Sequence, residues 1–162
     1  KNYYTNYTIV VMTRNIPSIV ASVLRLKWFA SDSVEGLARY WPYRNVNGYN
    51  IPFWLPEDQI DRFIGATVME RCCLYVLEMY KDAILNNPYI WINYDQFVKE
   101  PTAIFHKIRS AVNLSSGPLT ESLLQQIAEP PRDRIISLDD VSKDLRERFE
   151  VLSSTLESKR YV

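Results

Sequence analysis

The stretch Ile9-Val10-Val11-Met12-Thr13-Arg14-Asn15-Ile16-Pro17-Ser18-Ile19-Val20-Ala21-Ser22 decides how the chain is read. Its first four residues are mostly β-branched and uncharged, the pattern of a short buried strand. Pro17 suits the first turn of a helix, where its missing N–H would have no partner and its φ is already helical. A strand that turns directly into a helix makes an anion site. Unpaired backbone N–H groups and the positive end of the helix dipole then face the strand's end.

The side chains fit that reading. Arg14, Ser18, Ser22 and Arg25 follow one another at steps of four, four and three, which keeps polar groups on one helix face. Ile19, Val23 and Leu26 fall on another face and are expected to pack on a sheet. A guanidinium holds a phosphate through two N–H donors, and a hydroxyl adds a further bond. The same residues also fit an exposed helix face with ordinary surface arginines, and pattern alone does not choose between the two.

In these residues the chain resembles the sulfotransferases that use 3′-phosphoadenosine-5′-phosphosulfate. That family carries an Arg at a strand's end, an Asn or Asp and a Pro in the turn, and a Ser eight residues after the Arg, and Arg14 and Ser22 match this spacing. Ile16 is a departure, since it moves the proline one place later than in the commonest form of the motif. The resemblance implies that Arg14 and Ser22 grip the cofactor's 3′-phosphate, with Ser18 as a further candidate. A second match is Tyr89-Ile90-Trp91-Ile92-Asn93-Tyr94-Asp95-Gln96-Phe97, followed by Val98-Lys99-Glu100-Pro101. It is similar to the family's strand ending in Tyr-Glu-Asp-Leu, with Asp95 and Gln96 in place of the usual Glu and Asp. By resemblance Tyr94 lies near the adenine; by residue type alone it fits a core tyrosine at a strand end equally well. Arg132 and Arg134 occupy a region comparable to the family's late basic loop over the 3′-phosphate, without that loop's residue order. The likeness runs from about Tyr7 to the tyrosine-ended Ser158-Lys159-Arg160-Tyr161.

The family also has a Gly-, Ser- and Thr-rich loop that cradles the 5′-phosphosulfate through backbone N–H groups. Of the four glycines, Gly36, Gly48, Gly65 and Gly117, none follows an apolar strand and opens a helix. That loop and the catalytic base are therefore expected upstream of Lys1, and no catalytic residue is assigned within the chain. The expectation is a single domain over residues 1–162, the C-terminal portion of a sulfotransferase-like domain that is not active alone. A non-catalytic domain that binds 3′,5′-adenosine bisphosphate, or a relative of the P-loop kinases, is the alternative. The two motif strands imply an α/β fold, a partial parallel sheet flanked by helices and similar to the P-loop nucleotide-binding sulfotransferase fold. Two strands alone are few for such a sheet.

Composition narrows the partners. The 162 residues suffice for one core, 47% of them are apolar, and the formal charge is zero. Nothing in that balance points to a general nucleic-acid surface, while one local anion site is compatible with it. The expected partner is a small-molecule or carbohydrate acceptor. No segment reads as membrane-spanning. The expected location is cytoplasmic, with the Golgi lumen as the alternative if an N-terminal anchor precedes. Cys72 and Cys73 are adjacent and without other cysteines, so they read as small buried residues on a helix, with no disulfide or metal set. Asn6-Tyr7-Thr8 and Asn113-Leu114-Ser115 are N-glycosylation patterns. His106, the only histidine, falls on a polar helix face with Thr102, Arg109 and Ser110 and reads as solvated.

Further elements follow from periodicity. The first helix is expected from Pro17 to Ala30. The aromatic stretch Tyr40 to Trp54 contains a tight turn at Asn47-Gly48 and two prolines. It reads as a loop whose Trp41, Tyr43, Phe53 and Trp54 either bind the acceptor or pin the loop to the domain. Pro56-Glu57-Asp58 opens one long helix carrying Ile60, Ile64, Val68, Cys72, Tyr75 and Met79. A strand runs from Tyr89 to Tyr94, and Pro101 starts a helix with Ile104, Ile108, Ala111 and Val112 inward. A short helix runs from Leu119 to Ala128. A last one runs from about Asp139, with Val141, Leu145, Phe149, Leu152 and Leu156 on one stripe.

Overall fold

The computed structural model describes residues 8–29, 42–86, 90–115, 117–125 and 136–159. The fold is α/β. The chain forms two compact units, residues 1–14, 83–133 and 156–162 in the first and residues 15–82 and 134–155 in the second.

The first unit is built on strands β1 (Val10–Thr13) and β4 (Ile90–Asn93), which pair in parallel. Val10 stands opposite Ile90 and Thr13 opposite Asn93. Helices α4 (Tyr94–Lys99) and α5 (Pro101–Ala111) follow β4 directly. Pro101 occupies the first turn of α5, as its missing N–H favours. Ile90 and Ile92, two residues apart and so on one face of the strand, pack with Ile104 of α5 into a buried cluster. Phe97, Ile108 and Val112 close around it. Ala111, expected inward, is exposed. Helix α6 (Pro118–Gln125) covers the described part of the expected Leu119–Ala128, whose last three positions lie outside the described residues.

Strand β1 departs from the buried strand its composition predicts. Thr13 is buried, and its hydroxyl donates to the Ile92 carbonyl at 3.3 Å. Val10 and Met12 are 43% and 45% exposed. Strand alternation puts these two on the face opposite Thr13, and no layer of described residues covers that face.

The second unit begins with α1 (Ile16–Arg25), where Asn15 accepts a cap bond from the Ser18 N–H at 3.3 Å. The helix ends five residues before Ala30, because Lys27 takes a left-handed conformation at φ 56°. Its buried residues are Ile16, Ser18, Val20 and Val23, so the buried face is rotated from the expected Ile19, Val23, Leu26 stripe and Leu26 is exposed. The stretch expected as an irregular loop contains an antiparallel hairpin, β2 (Tyr43–Val46) and β3 (Tyr49–Pro52). Asn47 and Gly48 both adopt positive φ, 52° and 84°, the geometry of the two-residue turn whose twist matches paired strands.

The single long helix is also interrupted. A 3-10 turn (Glu57–Gln59) leads into α2 (Ile60–Gly65), and α3 (Val68–Leu85) starts afresh after Ala66 and Thr67. Thr67 and Glu70 form a capping box. The Glu70 N–H donates to Thr67 Oγ1 at 3.2 Å, and the Thr67 N–H donates to Glu70 Oε2 at 3.1 Å. Buried Arg71 donates through Nε and Nη2 to the Phe63 and Ile64 carbonyls, both at 3.0 Å, and so closes the C-terminus of α2.

Most of α3 and of α7 (Lys143–Glu157) completes this unit. The expected stripe Val141, Leu145, Phe149, Leu152 and Leu156 is buried throughout. Among the described residues of the unit, Ser142 and the α7 that follows it are held to α2 and α3 by three polar contacts. Arg62 pairs with Asp144 at 2.6 Å, the Ser142 N–H donates to Glu70 Oε1 at 3.3 Å, and Arg148 Nη2 reaches buried Glu78 at 3.2 Å. Cys72 and Cys73 are buried on α3, and burial pushes both thiols up to about 12.

Candidate functional site

The C-terminal ends of adjacent parallel strands are where open α/β sheets place ligands. In the first unit those ends carry Arg14, immediately after β1, and Tyr94 and Asp95, immediately after β4. The register pairs Thr13 with Asn93, so both strands release their next residues at the same level. Three side chains from the two sequence motifs, separated by 80 positions, thereby meet.

Their contacts are specific. Arg14 Nε donates to Asp95 Oδ1 at 3.0 Å, a charge-assisted bond. The guanidinium carbon stands 5.0 Å from the Tyr94 ring centroid, within cation–π range. The Arg14 side chain is 17% exposed, so the pair works in a partly desolvated setting. A guanidinium has five N–H donors in a fixed fork, and the bond through Nε fixes the plane in which the others lie. Local structure positions the acid: Asn93 caps α4 by accepting from the Gln96 N–H at 3.0 Å, which places Tyr94 and Asp95 in that helix's first turn. Tyr94 is therefore the first residue of a helix, where the sequence had it ending a strand.

The other expected residues are distributed as follows. Ser18 and Ser22 lie on α1 in the second unit, Ser18 buried and Ser22 exposed, so they do not present one uniform polar face. Tyr43 and Phe53 belong to the hairpin region, with Tyr43 half-buried and Phe53 60% exposed. Trp54 packs edge-on against Phe29, Phe63 and Tyr75, at centroid distances of 6.1, 6.3 and 5.3 Å. That packing pins the hairpin to the core of its unit. Trp41, Arg132 and Arg134 lie outside the described residues. Of the expected residues, Arg14 and Tyr94 are brought together.

Asp95 is the member of this group that sequence reasoning left without a role. The available signal was its place beside Tyr94 at the end of a strand parallel to β1, opposite an arginine of the other sign. Among the described residues no group of His, Cys, Asp and Glu could hold a metal ion, and no helix is long and apolar enough to cross a membrane. His106 is exposed on α5. Comparison with family models, with curated proteins and with solved structures finds no match to this chain.

Proposed function

We propose that the chain is part of a sulfotransferase that moves a sulfuryl group from 3′-phosphoadenosine-5′-phosphosulfate to an acceptor hydroxyl. The observation that carries this reading is the meeting of Arg14 with Tyr94 and Asp95 at the tips of two parallel strands. Arg14 and Tyr94 are the residues that the resemblance assigns to the cofactor. A partly buried guanidinium, its plane set by a carboxylate, suits recognition of a phosphate oxygen pair. An adjacent tyrosine ring offers a flat surface to a purine.

In this reading Arg14 and Ser22 hold the 3′-phosphate and Tyr94 stands by the adenine. Asp95 orients Arg14. In-line transfer of a sulfuryl group asks a protein chiefly for positioning and for stabilisation of developing charge, as phosphoryl transfer does. The binding half of that task is what these residues supply. The acceptor belongs to the small-molecule or carbohydrate alcohols.

Calorimetric titration with 3′,5′-adenosine bisphosphate tests the reading. The chain should bind it, and Arg14→Ala and Ser22→Ala should each weaken binding, Arg14→Ala by about 1.5–3 kcal/mol for the loss of a charge-assisted contact. Equal affinity in wild type and both variants removes the assignment.

A further inference from the structure

A groove of about 420 Å³ opens in the second unit, lined by Ile16 and Pro17 from the first turn of α1, by Leu138, and by Arg146, Phe149, Glu150, Ser153 and Ser154 of α7. The α7 residues follow one another at helical spacing and so form one face. Ile16, Pro17, Leu138 and Phe149 make an apolar floor, while Arg146 and Glu150 carry opposite charges along the rim.

Those two charges are available. Among the described residues neither Arg146 nor Glu150 has an ion-pair or side-chain hydrogen-bond partner, although they stand four residues apart on one helix. At the same spacing and in the same order on the same helix, Lys143 and Glu147 do pair, at 3.5 Å. The hydroxyls of Ser153 and Ser154 also lack partners among the described residues, whereas the neighbouring Thr155 hydroxyl donates to the Val151 carbonyl at 2.8 Å. The groove thus combines an unpaired cation, an unpaired anion and two free hydroxyls around an apolar floor, and its volume lies in the range of small-molecule sites.

We propose that this groove binds a small zwitterion with an apolar body, the chemistry of an aromatic or branched α-amino acid. The ligand's carboxylate pairs with Arg146 and its ammonium with Glu150. The apolar body lies against Pro17 and Phe149. A ligand bearing one charge alone leaves the opposite rim charge unanswered, so both charges contribute to selection. The inference goes beyond the sulfotransferase reading and does not depend on it.

Phenylalanine, phenylalanine amide and N-acetylphenylalanine are the probes, because the second lacks the carboxylate and the third lacks the ammonium. Each is titrated into the isotopically labelled chain and followed by two-dimensional NMR. Phenylalanine should give saturable shifts at the first turn of α1 and along Arg146 to Ser154, with each blocked probe about tenfold weaker. Arg146→Gln should bind phenylalanine and its amide alike, and Glu150→Gln should bind phenylalanine and its N-acetyl form alike. Both side chains are exposed and, among the described residues, unpaired, so neither change threatens folding. Absence of saturable shifts up to about 10 mM overturns the proposal. So does equal binding of the three probes in the wild type, tighter binding of either blocked probe, or an unchanged preference in the variants.

Discussion

Arg14 leaves its strand with two neighbours already in place, a carboxylate on Nε and an aromatic face beside the guanidinium carbon. Both come from residues that follow the partner strand, so the sheet's register sets their approach. An arginine fixed in this way loses little conformational freedom on meeting an anion. Asp95→Ala is therefore expected to weaken bisphosphate binding, but by less than Arg14→Ala, because it removes orientation and leaves the charge; calorimetry of the two variants side by side gives the ranking. Glu70 acts differently, as a structural acid. The Thr67 N–H above all, with Ser142 adding to it, holds its carboxyl below the ordinary glutamate value of 4.5. The unfolded chain then takes up the proton first as pH falls. This contribution is full above about 4.5 and fades as the pH drops through the lower folded value. Glu70→Gln keeps an acceptor for the Thr67 N–H and loses only the charge, so it should cost about 0.3–1 kcal/mol at pH 7 and less at pH 3. Urea unfolding at both pH values checks the convergence.

Elements were legible where one signal dominated. The stripe of α7, the Pro101 start of α5 and the parallel pairing implied by two apolar runs were all readable from spacing. The break between α2 and α3 was not, because apolar residues at steps of four continue across it while Gly65 and the Thr67-to-Glu70 box act against that period. Local capping and the Arg71 bonds to two carbonyls outweighed the periodicity. The hairpin was hidden for another reason: Asn47-Gly48 marked the turn, but prolines and polar residues masked its short strands. Long-range polar contacts left no local trace at all. Glu78 of α3 and Arg148 of α7 are 70 positions apart, and nothing in either segment names its partner. The Glu78 carboxylate is 5% exposed and also accepts from Lys81 at 3.3 Å. Arg148→Ala should destabilise the fold by about 1–3 kcal/mol, since it strips a buried carboxylate of a hydrogen-bonded counter-charge. Replacing both Glu78 and Arg148 with leucine should recover much of that loss, and guanidinium unfolding of the two variants measures the difference.

At the scale of the molecule, each unit has a core of its own kind. The first rests on a small aliphatic cluster under β4, the second on edge-packed aromatics and two long helices. The residues that sequence pattern grouped as one cofactor site are shared between the units, Arg14, Tyr94 and Asp95 in one, Ser18 and Ser22 in the other. Spacing along a chain reports such groupings only within an element, which is why the Arg14 surroundings became clear from strand register and not from periodicity. The adjacent free cysteines of α3 lend this architecture a built-in clock. Their sulfurs are shut away from solvent and held in the unreactive thiol form far above neutral pH. An alkylating reagent at pH 8 should thus leave the native chain unmodified. Both sites should be labelled only through the open form, slowly and in proportion to its population, with mass spectrometry counting the adducts. Prompt labelling of the intact protein would contradict the burial. Slow labelling would turn two chemically silent side chains into reporters of how often the interior of the second unit comes apart.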